Sequence, residues 1–160
     1  MKKLDYLTYD KETRVLDVLD ESKIDWDWIS KYLFLSEEFI EKYSNKLNWY
    51  LLSKHQILSE EFIEKNFNLV SWYCISKHQI LSEEFIEKYK DHIYWFLVSR
   101  WQPLSEAFID KYKFHLNWEF ISIYQVLSEK FIEEHLDLVD VNLIKKYQSI
   151  SETFIKKFNL

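Results

Sequence analysis

An all-α fold, an α-solenoid of six two-helix repeats behind an N-terminal cap, is predicted by three features of the sequence. First, Ser36, Ser59, Ser82, Ser105, Ser128 and Ser151 recur every twenty-three residues, and Phe39, Phe62, Phe85, Phe108, Phe131 and Phe154 keep the same register. A fixed period of this length marks a repeat architecture. Second, each repeat divides in two: Ile24-Asp25-Trp26-Asp27-Trp28-Ile29-Ser30-Lys31-Tyr32 aligns with Leu35-Ser36-Glu37-Glu38-Phe39-Ile40-Glu41-Lys42-Tyr43. Third, each half reads as one short capped helix, which gives twelve such helices over 24–160.

The N-terminal segment, residues 1–23, fits the repeat poorly. Thr13 and Leu16 lie one period before Ser36 and Phe39, which suggests a degenerate capping helix; a hairpin turning at Asp10 to Thr13 is the competing reading. The repeats then run 24–46, 47–69, 70–92, 93–115, 116–138 and 139–160.

Within a repeat the first helix opens on a tryptophan (Trp26, Trp49, Trp72, Trp95, Trp118), until Val141 breaks the series. A Ser, Asp or Asn precedes most of these helices and can accept from an orphan N–H of the first turn. Leu47 with Leu52, and Leu35 with Ile40 in the second helix, have the spacing of hydrophobic staples. The second helix, as in Ser59-Glu60-Glu61-Phe62-Ile63-Glu64-Lys65, is amphipathic and is placed outside; the tryptophan helix is apolar nearly all round and is placed inside. Glu38 with Lys42, Glu61 with Lys65 and Glu84 with Lys88 are spaced as i,i+4 ion pairs. The last repeat is more polar, with Lys145 and Lys156 in place of Ser and an acid, as a terminal repeat requires. Phe154, Ile155 and Phe158 on its final helix leave room for end-to-end self-association.

Composition narrows the function. With 48% hydrophobic and 19% aromatic residues the chain is not disordered. Its longest wholly apolar run, Ile93 to Val98, is too short to span a bilayer, so no membrane role is expected. Asp5 and Asp10 interrupt any secretory segment and Cys74 is alone, which points to a reducing, cytoplasmic setting. A net charge of −6 disfavours direct nucleic-acid binding. The lysine ladder Lys31, Lys54, Lys77 and Arg100 could meet phosphates, but Ile123 interrupts it.

No constellation calls for catalysis, cofactor or metal. His55 and His78 fall one repeat apart, yet the equivalent positions are Tyr32, Trp101, Tyr124 and Tyr147, an aromatic pattern rather than a ligating one. Helices stacked about 10 Å apart would also hold the two imidazoles too far from a shared zinc. Cys74 occupies a core slot shared with Leu51, Leu97, Phe120 and Leu143. No glycine is available for a phosphate loop.

Three surfaces remain. Ser30, Ser53, Ser76, Ser99 and Ser122 beside the tryptophans are read as allowing close helix approach, or else as lining an open ligand-binding face. The glutamates of the second helices complement the helix dipole; alternatively Glu60, Glu64, Glu83 and Glu87 form an acidic ridge that imitates nucleic-acid phosphates. Where register is kept but residues change, Tyr50, Tyr73, Tyr94, Phe96 and Trp101 form an aromatic strip in the central repeats, suited to a protein partner or to packing between repeats. Gln56, Gln79, Gln102, Gln125 and Gln148 are expected to bond loop backbone that no glycine relieves.

The motif Leu-Ser-Glu-Glu-Phe-Ile-Glu-Lys, with Asn-Trp-Tyr and Ser-Lys-His-Gln, resembles short helical repeats in proteins of bacteriophages and large DNA viruses, over residues 24–160. The resemblance implies a viral or prophage origin and a host-directed binding protein, including an inhibitor of a defence system such as an anti-CRISPR protein. It assigns no site residues. The leading expectation is a non-catalytic protein-interaction scaffold; an acidic inhibitor of a nucleic-acid-binding protein and a small-ligand or nucleotide binder are the alternatives.

Overall fold

The computed structural model describes residues 23–158, so the cap expected at 1–23 lies outside the described residues apart from Lys23. Within that range are twelve helices and no strand. They are α1 (Trp26–Tyr32), α2 (Glu37–Lys42), α3 (Trp49–His55), α4 (Glu60–Lys65), α5 (Trp72–His78), α6 (Glu83–Lys88), α7 (Trp95–Trp101), α8 (Glu106–Lys111), α9 (Trp118–Tyr124), α10 (Glu129–Glu134), α11 (Val141–Tyr147) and α12 (Glu152–Phe158). The chain divides after Gln79 into two compact units, and the described residues of each are a run of helical solenoid. In the first, α1 packs on α3 and α3 on α5; in the second, α7 packs on α9 and α9 on α11.

Each helix is at most seven residues long and would not persist alone. Its ends are therefore closed with side chains. Asp25, Asn48, Asn117 and Asp140 cap tryptophan-type helices, and Ser36, Ser59, Ser105 and Ser128 cap glutamate-type ones. The staple positions Ile40, Leu52, Ile63, Ile75, Ile86, Val98, Ile109 and Ile121 are wholly buried. Cys74 is buried with them, in the core slot its register predicts.

Turns without glycine have a simple geometry. The glutamate-type helices end on residues such as Asn66 (φ −106°, ψ 28°) and Tyr112 (φ −111°, ψ 21°), where φ stays negative and no left-handed residue is needed. The following tryptophan ties down that turn: Trp49 Nε1 donates to Ser44 O (3.0 Å) and Trp118 Nε1 to Lys113 O (2.8 Å). From α3 onward the tryptophan-type helices end on an extended glutamine, for example Gln56 (φ −92°, ψ 154°), where α1 ends on Leu33.

That glutamine completes the loop of the repeat before its own. In the first unit, Gln79 Oε1 accepts from Leu58 N (3.0 Å), while its Nε2 donates to Ser53 O (2.9 Å) and Gln56 O (2.8 Å). Gln56 treats Leu35, Ser30 and Leu33 in the same way. In the second unit Gln125 and Gln148 repeat the pattern. The expectation that these glutamines serve loop backbone holds, with the addition that the loop is always the preceding one.

The small serines are also joints between repeats. Ser53 Oγ donates to Trp49 O (2.7 Å) and accepts from Ser71 N (3.0 Å); Ser99 Oγ donates to Trp95 O (2.7 Å) and accepts from Asn117 N (2.9 Å). All five serines are fully buried, so they belong to the packed reading and cannot line an open ligand-binding face.

The glutamates bridge repeats as well. Glu83 accepts from Ser105 N and Oγ (2.6 and 3.0 Å), a capping box closed between repeats instead of within one helix. Lys65 pairs with Glu41, and Lys111 with Glu87 at 2.6 Å, each across a repeat. This corrects the i,i+4 pairing expected for Glu61 and Lys65. Facing glutamate helices put an acid and a lysine twenty-four residues apart within direct reach.

These contacts give a pH dependence. The Lys111 ammonium holds the Glu87 carboxyl below 4.5, the Ser151 backbone N–H does the same for Glu129, and His135 holds Asp110 below 3.8. Burial, and then Lys54 or Lys77, lowers His55 and His78 below 6.5. Depressed folded values all act in one direction: the stability is complete above the unfolded values and is lost as pH falls through the folded ones. The thermal midpoint should therefore fall on acidification below 6.5, and again once pH drops below 4.5. A midpoint unchanged down to about pH 3.5 would contradict the assignment.

Candidate functional site

Tyr50, Tyr73, Tyr94, Phe96 and Trp101 are 42 to 50% exposed. The tryptophan-type helices are therefore not enclosed all round, as their composition suggests. They bury a stripe with the serines and present a second, aromatic flank to solvent. In the first unit this flank carries Tyr50 of α3 and Tyr73 of α5, where electrostatic repulsion from the neighbouring Cys74, then burial, raises the Tyr50 phenol above 10.

In the second unit the flank is organised around Arg100. Phe96 and Arg100 share one face of α7 at i,i+4 spacing, as do Phe120 and Tyr124 on α9. Because α7 packs on α9, the four side chains meet: Phe96 contacts Phe120 at 5.5 Å and Phe120 contacts Tyr124 at 5.9 Å between ring centroids. The Arg100 guanidinium lies 4.8 Å from the Trp101 ring, 5.4 Å from Phe120 and 4.9 Å from Tyr124. Each distance is within cation–π range. Among the described residues Arg100 has no carboxylate partner, and its Nε is enclosed without an acceptor. Beside it opens a cleft of about 540 Å³, walled by Trp101 and Pro103 from one repeat and by Tyr124 and Val126 from the next.

Family models give no match to this chain, and neither do curated proteins or solved structures. The surface has to be read from its own chemistry.

Tyr94 departs from the rule of the repeat. It occupies the N-cap of α7 in the same extended conformation as Asn48 (φ −97°, ψ 96° against φ −87°, ψ 104°), yet makes no side-chain cap bond. Tyr94→Asn should restore the cap and raise stability by about 1 kcal/mol, read as a higher urea midpoint. An unchanged or lower midpoint would show that the tyrosine ring contributes as much as the missing cap.

The other expected sites divide differently. Glu83 and Glu87 are engaged with Ser105 and Lys111, and Glu60 and Glu64 also have partners, so this ridge is joined into the stack. Within the described residues, no group of three or more His, Cys, Asp or Glu is arranged to hold a metal ion. No described helix is long and apolar enough to cross a membrane.

Two features escaped the sequence reading. Arg100 counted as one rung of a lysine ladder, although the change to arginine coincides with Trp101 and Pro103 in the same repeat. The position after the first four glutamines is apolar (Ile57, Ile80, Pro103, Val126), as is Phe34 one period earlier, and it lies at the surface; Ile57 is 88% exposed and Val126 92%. Its signal was an apolar residue repeated outside both helical stripes.

Proposed function

We propose that the chain is a non-catalytic protein-interaction scaffold that binds its partner through the aromatic flank of the tryptophan-type helices. The observation that carries this reading is the Phe96, Trp101, Phe120 and Tyr124 cluster around Arg100. Tryptophan, tyrosine and arginine dominate interface hot spots, and here they gather at one place on the surface of the second unit. The cleft is open-sided and shallow, which suits a side chain of a larger partner better than an enclosed small molecule.

The acidic-inhibitor reading has weaker support, because Glu83 and Glu87 already satisfy a cap and a lysine of the next repeat. A host-directed role of viral origin is part of the proposal and rests on the motif resemblance alone; a cytoplasmic setting is proposed from the lone Cys74. The test is partner capture from an extract of the expressing cell, comparing the natural chain with Tyr50→Ser, Tyr73→Ser, Phe96→Ser and Trp101→Ser combined. Helicity should survive and the specific partner should be lost. Undiminished capture by the folded variant would refute the reading.

A further inference from the structure

We infer that the cleft between α7 and α9 receives an acidic side chain, Asp or Glu, flanked by an apolar residue on an extended segment of the partner. The inference rests on the interaction reading above and specifies what is recognised at one place in it. Arg100 is the one charged residue that lines the cleft. A single guanidinium complements a monoanion; a phosphate dianion would call for further cations. The rings of Trp101, Phe120 and Tyr124 stand within 5.4 Å of the guanidinium carbon and its Nε is enclosed, so a carboxylate has to approach the two terminal nitrogens. That geometry offers two parallel N–H···O bonds, and the aromatic packing fixes the fork before the ligand arrives.

The walls state what surrounds the acid. Pro103 and Val126 are exposed apolar residues on either side of the opening, placed to cover an aliphatic or aromatic neighbour of the bound carboxylate. The chain as a whole is acidic, with a net charge of −6, so a polyacidic tract would be repelled by the glutamate-type helices. One acid beside apolar residues fits both the local cation and the global charge.

The probe is a displayed library of random twelve-residue peptides selected against the full chain. The best peptide is then measured by fluorescence polarisation. Selected sequences should share an Asp or Glu next to an apolar residue. Changing that acid to its amide should weaken binding at least tenfold, and Arg100→Gln should weaken the acidic peptide by a similar factor. The amide peptide on Arg100→Gln should show little further loss, and Arg100→Lys should retain part of the affinity. Circular dichroism of each variant should match the natural chain. Peptides without an acid, peptides that bind Arg100→Gln equally well, or no selected peptide at all would overturn the inference. Peptides indifferent to Arg100→Gln but lost on Tyr50→Ser and Tyr73→Ser would overturn it while leaving the interaction reading in place.

Discussion

Replacing Gln125 with leucine should be among the most destabilising single substitutions in the chain, costing roughly 3 kcal/mol or more. Leucine has similar bulk but offers neither donors nor an acceptor. Leu104 N would lose its bond to Oε1 (3.1 Å), and Ser99 O and Gln102 O would lose theirs to Nε2 (3.0 and 2.9 Å). All three are backbone groups in a region where Gln125 itself is 6% exposed, so water cannot replace the amide without opening the joint. A buried group left unsatisfied costs about 1–3 kcal/mol, which sets the scale. Gln125→Glu should be worse still, since a carboxylate would face two carbonyl oxygens. Urea denaturation followed by circular dichroism measures both. A loss under about 1 kcal/mol for Gln125→Leu would mean that the loop finds other partners.

Ser99 should show an equally large effect of a different origin. Ser99→Ala removes one hydroxyl that donates to Trp95 O and accepts from Asn117 N, and should cost about 1 kcal/mol. Ser99→Leu keeps that loss and adds carbon where there is no accessible space, because Ser99 is fully buried between α7 and α9. Overpacking adds about 1–3 kcal/mol, so the leucine variant should lose several times as much as the alanine one. Similar losses for the two would mean that helix spacing tolerates bulk and that the serine is retained for its hydroxyl alone.

The contrast between these two residues and Arg100 shows what a sequence of this kind discloses. Repeat length, helix pairing and caps were legible because each follows from local chemistry at fixed spacing: Ser59 must cap a helix before Phe62, and Ile63 must face inward. The role of Gln125 was legible only in part. Its type announces three hydrogen-bonding atoms, but the loop they serve lies in the preceding repeat, and that depends on how repeats stack. Lys65 misled for the same reason, since Glu61 of its own helix competes with Glu41 of the repeat before. The candidate site was half visible. Phe96 and Trp101 stood out as departures from register, whereas Arg100 gains its aromatic surroundings from Phe120 and Tyr124 on a different helix. No spacing within one repeat encodes that meeting.

Register-keeping residues build the stack, and they do so by completing the backbone of a neighbouring repeat. Amide hydrogen exchange, resolved by residue, tests this most directly. The N–H groups of Leu58, Leu104 and Leu127 lie in loops outside any helix, yet each donates to a glutamine twenty-one residues ahead. They should exchange as slowly as the interior amides of the adjoining helices, and Gln125→Leu should release Leu104 while leaving Leu58 protected. Loop amides that exchange at the rate of an open chain in the natural protein would contradict the account.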